Sequence, residues 1–94
     1  MKCVEDRMDI GRVVLAKAGR DKGKFFVIVG RIDDQYVLIA NGTNRTIEKP
    51  KKKKIKHLDC RPELLEDIKT KLEKGQKVLD AEIRKSLETL GYNK

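Results

Sequence analysis

The sequence predicts a mainly β fold with C-terminal helices: a small β-barrel of four to five strands followed by two short α-helices. Three observations carry this reading. Short β-branched and aromatic runs separated by turn residues fill the chain as far as residue 60. From Pro62 onward the apolar spacing changes from two residues to about 3.6. The charge also divides there: residues 1–60 hold 15 Lys/Arg against 8 Asp/Glu, and residues 61–94 hold 8 against 7.

The first strand is expected around Val13-Val14-Leu15. It ends at the loop Ala18-Gly19-Arg20-Asp21-Lys22-Gly23, which joins two glycines to three charges. Phe25-Phe26-Val27-Ile28-Val29 is apolar on both faces, so it should be a central strand. Asp33-Asp34 reads as a turn, and Tyr36–Ala40 as the third strand. Asn41-Gly42 suits the two positive φ angles of a type I′ hairpin turn. Thr43 to Glu48 would then be a fourth, edge strand.

Lys49-Pro50-Lys51-Lys52-Lys53-Lys54-Ile55-Lys56-His57 follows. Its like charges repel when packed together, so we expect it to stay solvated or to meet a polyanion. Ile55 and Leu58 could return to the core as a short fifth strand.

Leu64, Leu65, Ile68 and Leu72 fall on one helical face, with Pro62 in the first turn and Gly75 as the stop. A second helix is expected from Asp80 as N-cap, with Ala81, Ile83, Leu87 and Leu90 inward and Gly91 at its end. Neither helix is long enough to be stable alone in water, so each should pack on the other or on the barrel. The chain thus divides into a lead-in over 1–9, a barrel with its basic segment over 10–60, and a two-helix appendage over 61–94.

The stretch from Ile10 to Val29 resembles a KOW motif: a strand, a loop bearing glycine and lysine, and a second strand. Gly23 matches the glycine on which that pattern centres, and Gly19 the one at the loop's start. Asn41-Gly42 with Arg45, Glu48-Lys49-Pro50-Lys51 and Lys56-His57-Leu58 are similar to the ribosomal, fourteen-e large-subunit branch of KOW-domain RNA-binding proteins. The resemblance covers about residues 9–59. It implies an SH3-like barrel that binds structured RNA, ribosomal RNA foremost. The positions it carries over are Lys17, Arg20, Lys22 and Lys24 around the loop, and Arg45 beyond it. The lysine run adds Lys49, Lys51, Lys52, Lys53, Lys54 and Lys56 by its own charge. Phe25-Phe26 stands where this family often has a small residue, and either core or an exposed stacking surface could result.

Composition narrows the function further. A net charge of +8 favours polyanions. The four aromatics, Phe25, Phe26, Tyr36 and Tyr92, are too few for a single-strand stacking platform, and we expect Phe26 and Tyr36 in the core. Folded RNA held by its backbone is therefore the expected ligand. Asp21 is expected to brace the loop by pairing with Arg20 or Lys22. His57 has no catalytic partner in any recognisable motif, and Gly19–Gly23 lacks the following helix of a phosphate-binding P-loop. Cys3 and Cys60 do not form a zinc pattern and read as free thiols in a reducing compartment. No cofactor, metal or small-molecule substrate is expected.

The expected protein is a cytoplasmic monomer with no enzymatic activity. It would bind RNA in the ribosome or the translation machinery. A protein-interaction adaptor using the C-terminal helices is the alternative. Membrane binding through the lysines ranks lower, because no apolar anchor accompanies them.

Overall fold

The computed structural model describes residues 9–92. Five strands form one antiparallel sheet: β1 (Arg12–Ala16), β2 (Phe25–Arg31), β3 (Tyr36–Ala40), β4 (Lys51–Lys54) and β5 (Leu58–Leu64). Their order is β4-β3-β2-β1-β5, so β2 is central, as its two-sided apolar pattern requires. Two helices follow, α1 (Glu66–Glu73) and α2 (Asp80–Thr89).

The connection from β4 to β5 makes the sheet a barrel. β4 and β5 are its opposite edges, yet a three-residue 3-10 turn, Ile55–His57, joins them. In a flat sheet those edges would lie about 19 Å apart, four spacings of about 4.8 Å. Three 3-10 residues rise only about 6 Å. The sheet must therefore curl until its edges meet, and the curl encloses Val14, Ala16, Phe26, Ile28, Val37, Ile39 and Leu58.

The outer face is apolar too, and the helices cover it. Val13, Val27 and Ala40 pack there with Ile68 of α1, Val78 of the linker, and Ile83 and Leu87 of α2. Phe25 joins this second core with its ring stacked on Tyr92, centroids 4.3 Å apart. Each helix docks beside a glycine with positive φ just outside a strand. Gly11 (φ 92°) meets Leu65 and Lys69 beside α1, and Gly42 (φ 77°) meets Asp80 and Arg84 of α2.

Several expectations are corrected. Thr43 to Glu48 is not a strand. Residues 41–50 form a connection, and the fourth strand is made by the lysines themselves. Asn41-Gly42 is not a type I′ turn, because Gly42 has positive φ and Asn41 does not. Asn41 is instead buried, and its Oδ1 accepts from the backbone N–H groups of Thr43 and Arg45. That internal bracing lets the loop bulge toward α2 rather than reverse tightly.

Pro62 lies in β5, not in a helix. It is tolerated there because the register of β5 on β1 shifts between Arg12 and Val14, and Pro62 lies in that irregular stretch, where no regular ladder bond needs its missing N–H. Pairing of Leu64 with Arg12 holds the chain extended, so α1 begins only at Glu66. Ile55 sits in the 3-10 turn, and β5 runs from Leu58 to Leu64.

Asp80 is the first residue of α2 rather than its cap, and its Oδ1 accepts from Ile47 N–H at 2.7 Å. The free N–H of Leu79 is met by Glu82 Oε2 at 2.8 Å. Ala81 is exposed and not inward, because two residues of helix turn it about 200° from the buried Ile83. Cys60 is disulfide-bonded, which corrects its reading as a free thiol. Cys3 and most of the 1–9 lead-in lie outside the described residues.

Candidate nucleic-acid interface

The lysine run reads with a period of two once it is a strand. Register places Lys53 opposite Val37 and Lys51 opposite Ile39, and Lys54 opposite Tyr36. Lys51 and Lys53 therefore share the inward face, and Lys52 and Lys54 the outward one. The two pairs do different work.

The inward pair holds the glycine loop. Lys53 is 8% exposed, and its Nζ donates to the carbonyl of Ala18 at 2.9 Å. Lys53 is thus turned away from solvent, unlike a phosphate-contacting lysine. Lys51 Nζ lies 3.9 Å from Asp21 Oδ2, and Arg45 lies 3.7 Å from the same oxygen. Asp21 is only 3% exposed. It braces the loop as expected of it, but against Arg45 and Lys51 instead of Arg20 or Lys22. The reason is reach: its carboxylate points into the sheet edge while its neighbours in sequence point out.

With Asp21 and Lys53 anchoring it, the loop is closed by two backbone bonds, Gly23 N–H to Ala16 O and Ala16 N–H to Lys24 O. Gly19 (φ 81°) and Gly23 (φ 87°) make the reversals. Lys17, Arg20, Lys22 and Lys24 are left exposed. A β-carbon added at Gly23 would meet nothing within 4 Å, so the backbone there stands open to a ligand.

The outward pair flanks Tyr36. Lys52 Nζ lies 4.5 Å from the ring centroid and Lys54 Nζ 5.8 Å. Tyr36 is half-buried, which corrects its assignment to the core. Its position on β3 points it to the outer face, where the two ammonium groups favour the ring's π density. Phe26, by contrast, is fully buried. Sequence reading missed the Tyr36 cluster because it treated the lysines as coil. Alternation along Lys51–Lys54 opposite Tyr36–Ala40 was the available signal.

Lys49 and Lys56 are exposed at the two ends of the run. Lys17, Lys54 and Lys56 meet at a cleft of about 600 Å³ that also includes Asp34, Gln35, Ile55 and Leu58. Cations from the loop flanking the end of β1, from β4 and from the 3-10 turn thus meet at one cleft.

Two groups that do not line this cleft, Arg61 and Glu82, have perturbed acidities. Tyr92 raises the Arg61 guanidinium, first by a hydrogen bond and then by charge. The Leu79 N–H, then Lys71, lowers the Glu82 carboxyl. Among the described residues no three potential ligands converge on a metal position, and no helix is long and apolar enough to cross a membrane.

A curled five-stranded sheet with a braced glycine loop, a lysine edge strand and helices on its outer face defines a small basic barrel protein of the ribosomal KOW class. No family model matches the chain. The chain is 33% identical to the large ribosomal subunit protein eL14 of Pyrobaculum arsenaticum over 84 residues, 89% of this chain and 75% of that protein. It is 32% identical to the eL14 protein of Hyperthermus butylicus over 84 residues, 89% and 79% of the two chains. With the eL14 protein of Desulfurococcus amylolyticus it shares 40% identity over 52 residues, about half of each, 55% and 54%. The chain belongs to the large ribosomal subunit protein eL14 family. The longer matches are too long to fit within residues 9–59, so the kinship includes the helical part as well as the KOW-like part.

Proposed function

We propose that this protein is a non-enzymatic RNA-binding protein of the ribosome that holds ribosomal RNA through its backbone phosphates. The supporting observation is a set of cations open to solvent: Lys17, Arg20, Lys22 and Lys24 on and beside the braced loop, exposed Lys52 and half-buried Lys54 on β4, and Lys56, with Lys17, Lys54 and Lys56 meeting at one cleft. Lys49 is exposed at the start of the lysine run, and Arg45 and Lys51 are half-buried, each next to Asp21. Kinship with large-subunit proteins supports ribosomal RNA as the ligand, and a ribosomal role supports the cytoplasm as the compartment. Phosphate contacts of this kind position a protein and carry no sequence readout.

The burial of Ile68, Ile83 and Leu87 on the sheet favours this reading over an adaptor that presents its helices to a protein. The test is affinity for large-subunit ribosomal RNA across salt. If about four of these cations engage phosphates, log K should fall against log salt with a slope of about −3 to −4. An affinity unchanged between about 50 and about 300 mM salt would refute the proposal.

A further inference from the structure

We propose that the cleft between the Asp33–Tyr36 turn and the Ile55–His57 turn is a nucleotide subsite, taking one nucleotide of RNA turned out of its stack. This rests on the RNA-binding reading and adds to it a place where a base, and not only a phosphate, is held.

Three features of the cleft point to this ligand. Its volume of about 600 Å³ falls within the range of small-molecule sites, and no phosphate alone would fill it. Lys17, Lys54 and Lys56 line it and give it positive charge, while Ile55 and Leu58 supply an apolar wall. That pairing suits an anion joined to a flat apolar ring. Asp34 and Gln35 complete the lining. An amide offers donor and acceptor to a base edge, and a carboxylate accepts from a hydroxyl or an amino group. The carboxylate also disfavours a second phosphate there, so the cleft suits one nucleotide and not a run of backbone.

The walls are held before any ligand arrives. Asp33 Oδ1 accepts from the backbone N–H groups of Gln35 at 2.8 Å and Tyr36 at 2.9 Å, which fixes the turn bearing Asp34 and Gln35. Ile55 N–H donates to Gln35 O at 2.7 Å, and Lys17 N–H donates to His57 O at 2.8 Å. These two bonds tie the 3-10 turn to both neighbouring walls. A preformed site loses less ordering entropy on binding.

The experiment uses the full isotope-labelled chain, titrated with adenosine 5′-monophosphate or with inorganic phosphate while amide chemical shifts are followed. In parallel, ribosomal RNA affinity is measured across salt. The nucleotide should shift Gln35 and the Lys54–Leu58 amides and bind more tightly than phosphate. Asp34→Ala and Gln35→Ala, both at exposed positions, should each weaken nucleotide binding about two- to tenfold, the worth of one hydrogen bond. Equal affinity for phosphate and nucleotide would overturn the subsite, as would shifts lying outside the cleft. In both cases a steep salt slope would leave the RNA-binding reading standing. A flat slope would refute that reading and the subsite with it.

Discussion

Two glycines with nearly the same backbone angle should fail in opposite ways when changed to alanine. Gly23 and Gly42 have φ of 87° and 77°, so each alanine variant carries the backbone cost of a left-handed residue, roughly 1–2 kcal/mol. Beyond that they diverge. At Gly23 an added β-carbon meets nothing within 4 Å. Gly23→Ala should therefore lose little more than the backbone cost. At Gly42 the β-carbon would press on the Asp80 carbonyl and lie 2.9 Å from Arg84 Cγ. Arg84 also donates to the Gly42 carbonyl at 2.6 Å, so α2 cannot retreat without losing that bond. If α2 lifts away, Ile83 and Leu87 come out of the core at about 1.5–3 kcal/mol each. Against a total stability of about 5–15 kcal/mol, that is enough to unfold much of the population.

Function should show the reverse order. Gly23 presents bare backbone beside Lys22 and Lys24, and a methyl group there would hold a phosphate off. Losing one hydrogen bond to a charged group, about 1.5 kcal/mol, lowers RNA affinity about tenfold. The assays are urea unfolding midpoints and ribosomal RNA affinity at fixed salt. Equal stability losses in the two variants would refute the packing argument at Gly42. Unchanged RNA affinity in Gly23→Ala would refute the role given to the loop.

Further outcomes follow from neighbouring contacts. Lys53→Ala should cost about 1–3 kcal/mol in denaturant melts by stranding the Ala18 carbonyl, whereas Lys52→Ala should leave stability nearly unchanged and weaken RNA binding. Charge reversal of Lys22 with Lys24 should weaken RNA binding and that of Lys71 with Lys74 should not; equal losses would mean that only net charge matters. The Glu82 carboxyl is lowered from its ordinary value of 4.5, so its contribution is present above that pH and is lost as pH falls below it. Glu82→Gln should therefore flatten the acid limb of a stability–pH profile, and an unaltered limb would argue against the link to Leu79 and Lys71.

The sequence made the barrel's centre legible and its edges obscure. Val13–Leu15, Phe25–Val29 and Tyr36–Ala40 are strands because β-branched and aromatic runs have few other uses in a small domain. The edges depend on partners far away. Lys51–Lys54 has poor strand character by itself, and it pairs because β3 offers a free edge and Asp21 and Ala18 receive two of its side chains. Pro62 reads as a helix start locally, yet β1 recruits it into β5. The same holds for the candidate site. Lys17, Lys54 and Lys56 could be named from charge, but their meeting at one cleft required the fold. Tyr36 faces outward instead of into the core because its partner strand is made of lysines, whose run has no strand signature of its own.

The pairing of β1 with β5 also sets an order of events during synthesis. Arg12 finds its partner in Leu64 and Ala16 its partner in Leu58. Until that distant segment emerges, β1 can join β2 on one side while its other edge stays bare. A bare apolar edge is a template for mispairing with another chain. The nascent protein is therefore most exposed to aggregation between completion of β2 and arrival of β5, and Lys51–Lys54, which emerge just before β5, place positive charge on the chain during that interval.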